Sequence, residues 1–207
     1  MSFSRRLIYT IRVMKRELRR ATNEKQPASH KRWIFVTGFF GAPIREAAET
    51  LAAKTNLPLI FLDREIEAAD GRSIRRLVMT MGEHEYRNQE YRQLRRLLEG
   101  TANRGDRGAF SGDGAPGTSG ESGADRGDGA VVCCGDGILL DEDTCRLMAG
   151  HRIVIVGLDL TADQLWARAK DISDSCHAFM SLEDADKKRA AFLALHQRQT
   201  ALFQRFV

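Results

Sequence analysis

No stretch of this chain stays apolar long enough to cross a bilayer. The longest apolar runs, such as residues 153–158, are the length of a strand. Cysteine is scarce and its spacing carries no pattern. Cys133 and Cys134 are adjacent, and Cys145 and Cys176 stand apart, which gives neither a disulfide framework nor a metal-binding signature. Reduced, buried thiols in a cytoplasm are the expectation. The basic N-terminus lacks a clean apolar core and a small-residue cleavage site, which argues against secretion. Charge of one sign is also short: the net charge is +4, and much of it lies in the N-terminal arm.

What remains is an ordinary globular composition. With 207 residues, 43% apolar and 29% charged, the chain can bury one sizeable domain with additions. Residues 1–32 form a first unit, a basic amphipathic helix and a polar linker. Leu7, Ile8, Ile11, Val13 and Met14 are ringed there by Arg5, Arg6, Arg12, Lys15, Arg16, Arg19 and Arg20. Without interleaved aromatics this arm gives no clear nucleic-acid signal; it suits a helix laid on the domain or on a protein partner. Residues 33–207 form the domain, interrupted at 100–130 by a segment holding more than half of the chain's 18 glycines. That composition cannot bury a core and reads as a flexible insertion.

The domain is organised around residues 33–46. Ile34, Phe35 and Val36 make a buried strand, Gly38 to Gly41 a glycine turn, and Ile44 to Thr55 a helix with Ala47, Ala48, Leu51 and Ala52 at helical spacing. This is the outline of a phosphate-binding loop, in which N–H groups at a helix N-terminus cradle an anion. The working pattern is G-x-x-x-x-G-K-[ST]. Here Pro43 occupies the second glycine's place, Ile44 the lysine's and Arg45 the metal-binding hydroxyl's. Gly38, Gly41 and Arg45 are what remains for a nucleotide. Pro43 removes a cradle N–H, Ile44 supplies no charge, and Glu46 repels a phosphate. Further on, residues 57–62 read as a short buried strand, residues up to Glu99 as a long charged helix, 131–139 as a strand ending in a glycine turn, 140–149 as a helix, 152–159 as a strand, and 187–206 as a helix; Thr161 caps another helix.

Three elements then fall in register: Phe61, Asp63 and Glu67; Gly71, Arg72, Ser73 and Ile74; and Gly82, Glu83, Tyr86, Arg87 and Glu90. In this order and spacing they resemble the shikimate kinase family of small P-loop kinases. The resemblance implies an α/β P-loop kinase fold, a central parallel sheet flanked by helices, truncated at the C-terminus, where the family's last strand and adenine-side loop find no counterpart. It implies a substrate side made of Asp63, which would orient hydroxyls, of Gly135 and Gly137 in the glycine turn, and of Arg87 and Arg198, whose planar forks suit a carboxylate. By residues alone, Arg87 also fits a helix ion pair with Glu83 or Glu90. Asp136, in place of a middle glycine, would repel a carboxylate unless a cation or water intervened. The lid arginine's place falls at Ser175 and Cys176, and His177 reads as an exposed loop residue.

The departures collect on the nucleotide side. Phe61 stands where the resemblance places a metal-side aspartate, and lysine, hydroxyl and lid arginine are also missing. Phosphoryl transfer depends on positioning and charge neutralisation, so their joint loss predicts a catalytically impaired pseudokinase that retains part of the shikimate-binding side. No catalytic residue, metal site or cofactor is then expected. The alternative is an active shikimate kinase using ATP and Mg²⁺ to phosphorylate the shikimate 3-hydroxyl in aromatic amino-acid biosynthesis.

Overall fold

The computed structural model describes residues 32–102, 129–172 and 175–206. The basic arm and most of the glycine-rich insertion lie outside the described residues.

Four strands form one parallel sheet in the order β2-β3-β1-β4: β1 (Arg32–Gly38), β2 (Leu59–Phe61), β3 (Gly129–Cys133) and β4 (Arg152–Val156). β1 pairs with β3 on one side and β4 on the other, so that Val36 stands between Cys133 and Val154. From Trp33 onward its residues are buried on both faces because each face is covered by helices. Ile34 and Val36 meet Ala47, Ala48, Leu51 and Ala52 of α1 (Ile44–Thr55). Trp33 and Phe35 face the larger core with Leu62, Ile66, Leu77, Tyr86 and Leu94. These come from α2 (Leu62–Asp70) and α3 (Ile74–Ala102). The remaining helices are α4 (Glu142–Met148), α5 (Ala162–Ala169) and α6 (Ala185–Phe203). Among the described residues no helix is long and apolar enough to cross a membrane, and all four cysteines are free.

Several boundaries differ from the sequence reading. β2 is only three residues long because the chain turns into α2 at Leu62, whose side chain and that of Ile66, one turn on, are both buried. The stretch after β3 forms a short 3₁₀ turn, Ile138–Leu140, before α4, whose start is capped by Asp141 accepting from the Thr144 N–H. Thr161 caps α5 as expected, in a reciprocal capping box with Gln164. α3 is broken at Gly82, which has φ +84° and ψ 165°, a conformation only glycine adopts without strain. The break re-aims the following turns so that Tyr86, Arg87 and Glu90 point inward.

The Gly71 to Ile74 element is a helix-to-helix joint. Gly71 closes α2 in the left-handed conformation, the Ser73 hydroxyl accepts from the Arg76 N–H, and Glu67 Oε1 accepts from the Ile74 N–H at 2.9 Å. The spacing of that motif is the spacing needed for one helix to cap the next.

Candidate substrate and nucleotide sites

In an open parallel sheet the strands' carboxyl ends surround a crevice where the connections diverge, and β1 with β3 forms such a point here. The turn after β3 is pinned there. The Cys134 N–H donates to Val36 O at 2.9 Å, the Thr37 hydroxyl to Gly135 O at 2.8 Å, and the Gln199 amide to Asp136 O at 2.8 Å.

Against this turn lies a buried cluster of charged groups. Arg87 is 9% exposed and Glu90 1%. The Arg87 guanidinium donates to Glu90 Oε2 at 2.6 Å and to Glu83 Oε1 at 3.0 Å, and it lies over the Tyr86 ring. The Tyr86 hydroxyl donates to Asp63 Oδ1 at 2.8 Å, so the two motif segments close on each other. Both glycines of the turn are required by proximity. A Cβ on Gly137 would come within 2.2 Å of Arg87 Nη2, and one on Gly135 within 2.9 Å of Glu90 Oε1 and the Tyr86 hydroxyl.

Burial governs the protonation of this cluster. It pushes the Glu90 carboxyl up to about 7 despite the facing Arg87. The Asp63 carboxyl is also raised by burial, with the Tyr86 hydrogen bond opposing. Burial would likewise raise Asp136, but His177 pulls it below the usual carboxylate value. Burial pushes the Cys176 thiol well above its ordinary range, so it is no ready nucleophile. Glu90 Oε1 is buried without a hydrogen-bond partner.

His177 overturns the sequence reading. It is 4% exposed, its Nε2 lies 2.7 Å from Asp136 Oδ2, and its ring packs edge-on against Phe40 and stacks on Phe179. The expected repulsion from Asp136 is answered inside the fold by this imidazole. Arg198 is exposed on α6, while the next residue, Gln199, turns inward to the Asp136 carbonyl. Asp63, Arg87, Gly135 and Gly137 are brought together through Tyr86 and the Arg87 guanidinium.

The loop between β1 and α1 is closed by hydrogen bonds within the protein. The Phe39 N–H donates to Val156 O, the Ala42 N–H to Phe39 O and the Ile44 N–H to Ala42 O, at 2.9–3.2 Å. Pro43 has no N–H and provides no side-chain cap. Gly41 sits at φ +89° with Leu165 O where a Cβ would be, and Arg168 donates to Gly41 O at 2.9 Å, so α5 lies directly on the loop. Phe39 packs on Phe203 and His196, and Phe40 on His177 and Phe179. Arg45 lies with its guanidinium 4.5 Å from the centre of the Phe61 ring.

Comparison with known proteins agrees with this architecture. The shikimate kinase family model matches residues 45–104, which hold the joint and the Arg87 helix. A shikimate kinase of Chlorobaculum parvum is 41% identical over 68 residues, 33% of this chain and 36% of that protein. Over this stretch the chain is similar to the shikimate kinase family. The stretch shared with the Chlorobaculum parvum and Chlorobium limicola members is about a third of their length, 36% and 34%. A longer match, 26% identical over 149 residues, covers 70% of this chain and 69% of the shikimate kinase of Zymomonas mobilis. Among solved structures, the family member from Bacteroides thetaiotaomicron has a TM-score of 0.59 at 20% identity, covering 84% of this chain and 82% of that one. Shikimate kinase from Acinetobacter baumannii, in complex with shikimate, has a TM-score of 0.56 at 16% identity, covering 82% and 78%. These structures give the fold, a parallel sheet flanked by helices.

Of the residues that build the crevice, sequence reasoning missed His177 and Gln199 as inward-facing groups, treated Tyr86 only as a motif position, and read Glu90 as an ion-pair partner of Arg87 without its burial. Glu90 was legible as the i+3 partner of Arg87. Nothing local marks the contact between Asp136 and His177, which are 41 residues apart.

Proposed function

We propose that this chain is a shikimate-kinase-like pseudokinase that binds shikimate or a similar hydroxylated carboxylate and does not transfer phosphate to it. The observation that carries this reading is the phosphate loop: its N–H groups at Phe39, Ala42 and Ile44 already donate to protein carbonyls. The residues present do not fit ATP and Mg²⁺. Ile44 and Arg45 replace the phosphate and metal groups, and Phe61, under the Arg45 guanidinium, replaces a carboxylate. Each missing electrostatic contact to the transferring group is worth on the order of 3 kcal/mol in the transition state, so several together remove useful turnover.

The substrate side keeps several of the groups that the resemblance implies. Arg87 offers a buried guanidinium whose exposed partner, Glu83, can yield its place to a ligand carboxylate, while Glu90 stays buried. Asp63, oriented by Tyr86, is an acceptor for ligand hydroxyls. The Gly135 to Gly137 turn brings backbone against the same guanidinium.

The test is calorimetric titration of the purified chain with shikimate and separately with Mg-ATP, followed by a coupled assay for phosphoryl transfer. Shikimate binding that Arg87→Ala erases, with no heat from Mg-ATP and no turnover, is the expected result. Saturable Mg-ATP binding with turnover would establish the working kinase instead.

A further inference from the structure

Two departures from the family pattern meet in space. One is Asp136, the middle residue of the glycine turn; the other is Cys176, within the Ser175–Cys176 pair where the lid arginine was expected, with His177 next to it. Their ligand atoms, one carboxylate oxygen, one thiol sulfur and one imidazole nitrogen, all lie within 4.8 Å of one another. We propose that Asp136, Cys176 and His177 bind a thiophilic divalent transition ion, with Zn²⁺ the best-matched member of that class.

The donor set selects the ion. Hard cations such as Mg²⁺ and Ca²⁺ take oxygen ligands, whereas a thiolate with an imidazole suits borderline-soft Zn²⁺. Zn²⁺ with one carboxylate and one thiolate is electrically neutral, which a buried site beside Arg87 requires. Coordination removes the thiol proton outright. Three protein ligands leave a fourth tetrahedral position for water or an anion.

The geometry is close to what such an ion needs. At ordinary zinc–ligand lengths, tetrahedral donors stand about 3.3–3.6 Å apart. The 2.7 Å between His177 Nε2 and Asp136 Oδ2 opens slightly to admit the ion, and the Cys176 sulfur closes on them. The frame is already set. Asp136 is fixed through the carbonyls of its turn by Thr37 and Gln199, and the His177 ring is held between Phe40 and Phe179. The His177 N–H donates to the Ser175 hydroxyl at 3.0 Å, which shapes the turn that lets Cys176 and His177 approach one carboxylate together.

The inference stands apart from shikimate binding, because ion binding is measured on the full chain alone. Metal-free protein is titrated with Co²⁺, then with Zn²⁺ and Mg²⁺ in competition. The expected result is one Co²⁺ per chain bound tighter than about 10 µM, with a thiolate-to-cobalt charge-transfer band and tetrahedral d–d bands that Zn²⁺ abolishes and Mg²⁺ does not. Cys176→Ser removes the charge-transfer band and weakens binding by more than about 100-fold, beyond the loss typical of an outer-shell partner. Cys133→Ser and Cys145→Ser leave both unchanged. Because Asp136→Asn can disturb folding, His177→Gln serves as the second ligand variant, and it too weakens binding. Weaker or absent Co²⁺ binding in the wild-type chain overturns the proposal. So does cobalt binding that Cys176→Ser and His177→Gln do not alter, or displacement by Mg²⁺.

Discussion

The Arg45 guanidinium lies over the Phe61 ring, 4.5 Å from its centre. Both residues stand where the family pattern places groups that hold a nucleotide's metal and phosphates, and here they hold each other. A cation stacked on an aromatic face is a structural element, and its charge is directed at a ring.

The first prediction follows from that contact. Arg45→Ala costs about 0.5–1 kcal/mol of stability, the worth of an exposed cation–π pair, and on the proposed pseudokinase reading leaves the Mg-ATP titration as flat as that of the wild-type chain. Urea denaturation and Mg-ATP calorimetry on the same variant check both halves. A loss of measurable ATP binding in the variant would contradict the second.

The turn glycine tests how closely backbone and guanidinium are fitted. Gly137 has φ −104°, so alanine meets no backbone strain there, and the whole effect comes from a Cβ that would reach Arg87 Nη2. Gly137→Ala displaces the guanidinium, costs about 1–3 kcal/mol as an overpacking substitution, and abolishes shikimate binding. Chemical denaturation and calorimetry read the two effects separately.

Glu90 gives a pH dependence with a defined sign. Burial holds its carboxyl at about 7 in the fold against an ordinary 4.5. Between those values the folded chain keeps a proton that the unfolded chain has released, so stability falls as pH rises through this window and levels off above it. The total is on the order of 3 kcal/mol. The groups facing Glu90 are Arg87 and Tyr86 from α3, Asp63 from α2, Cys134 from the end of β3, and Cys176. Glu90→Gln removes the titrating group, so denaturation midpoints from pH 5 to pH 8 fall less steeply in the variant. Equal slopes would assign the dependence to another group.

Adjacent residues on α6 separate two readings of that helix. Gln199 is buried and donates to Asp136 O, so Gln199→Ala leaves a buried carbonyl without its donor and costs about 1–3 kcal/mol. Arg198 is exposed, and Arg198→Ala stays within about 0.5 kcal/mol. Shikimate affinity is expected to follow the same order, with Arg87 the carboxylate partner and Arg198 nearly silent. A loss of affinity in Arg198→Ala larger than in Arg87→Ala would restore the expectation drawn from the family pattern.

Much of the fold was legible because its signals are local. Ile34 to Val36, then glycines, then Ala47, Ala48, Leu51 and Ala52 at helical spacing specify a buried strand, a turn and a covering helix without reference to the rest of the chain. The Thr161 cap and the spacing from Glu67 to Ile74 are equally local, since a helix end is completed by residues a few positions away. The loss of the phosphate lysine and metal hydroxyl could likewise be read directly, because those are residue identities at fixed offsets from Gly38.

The tertiary structure alone decided which charges are buried and what they face. Sheet order brings the turn after β3 beside β1, and only that placement puts Asp136 against His177, sets Gly137 on Arg87, and turns Gln199 inward while Arg198 stays in solvent. A side chain's burial and its partners depend on helices arriving from distant parts of the chain. Residue type and spacing therefore named the candidates, and the packing around β1 and β3 determined which of them share one site.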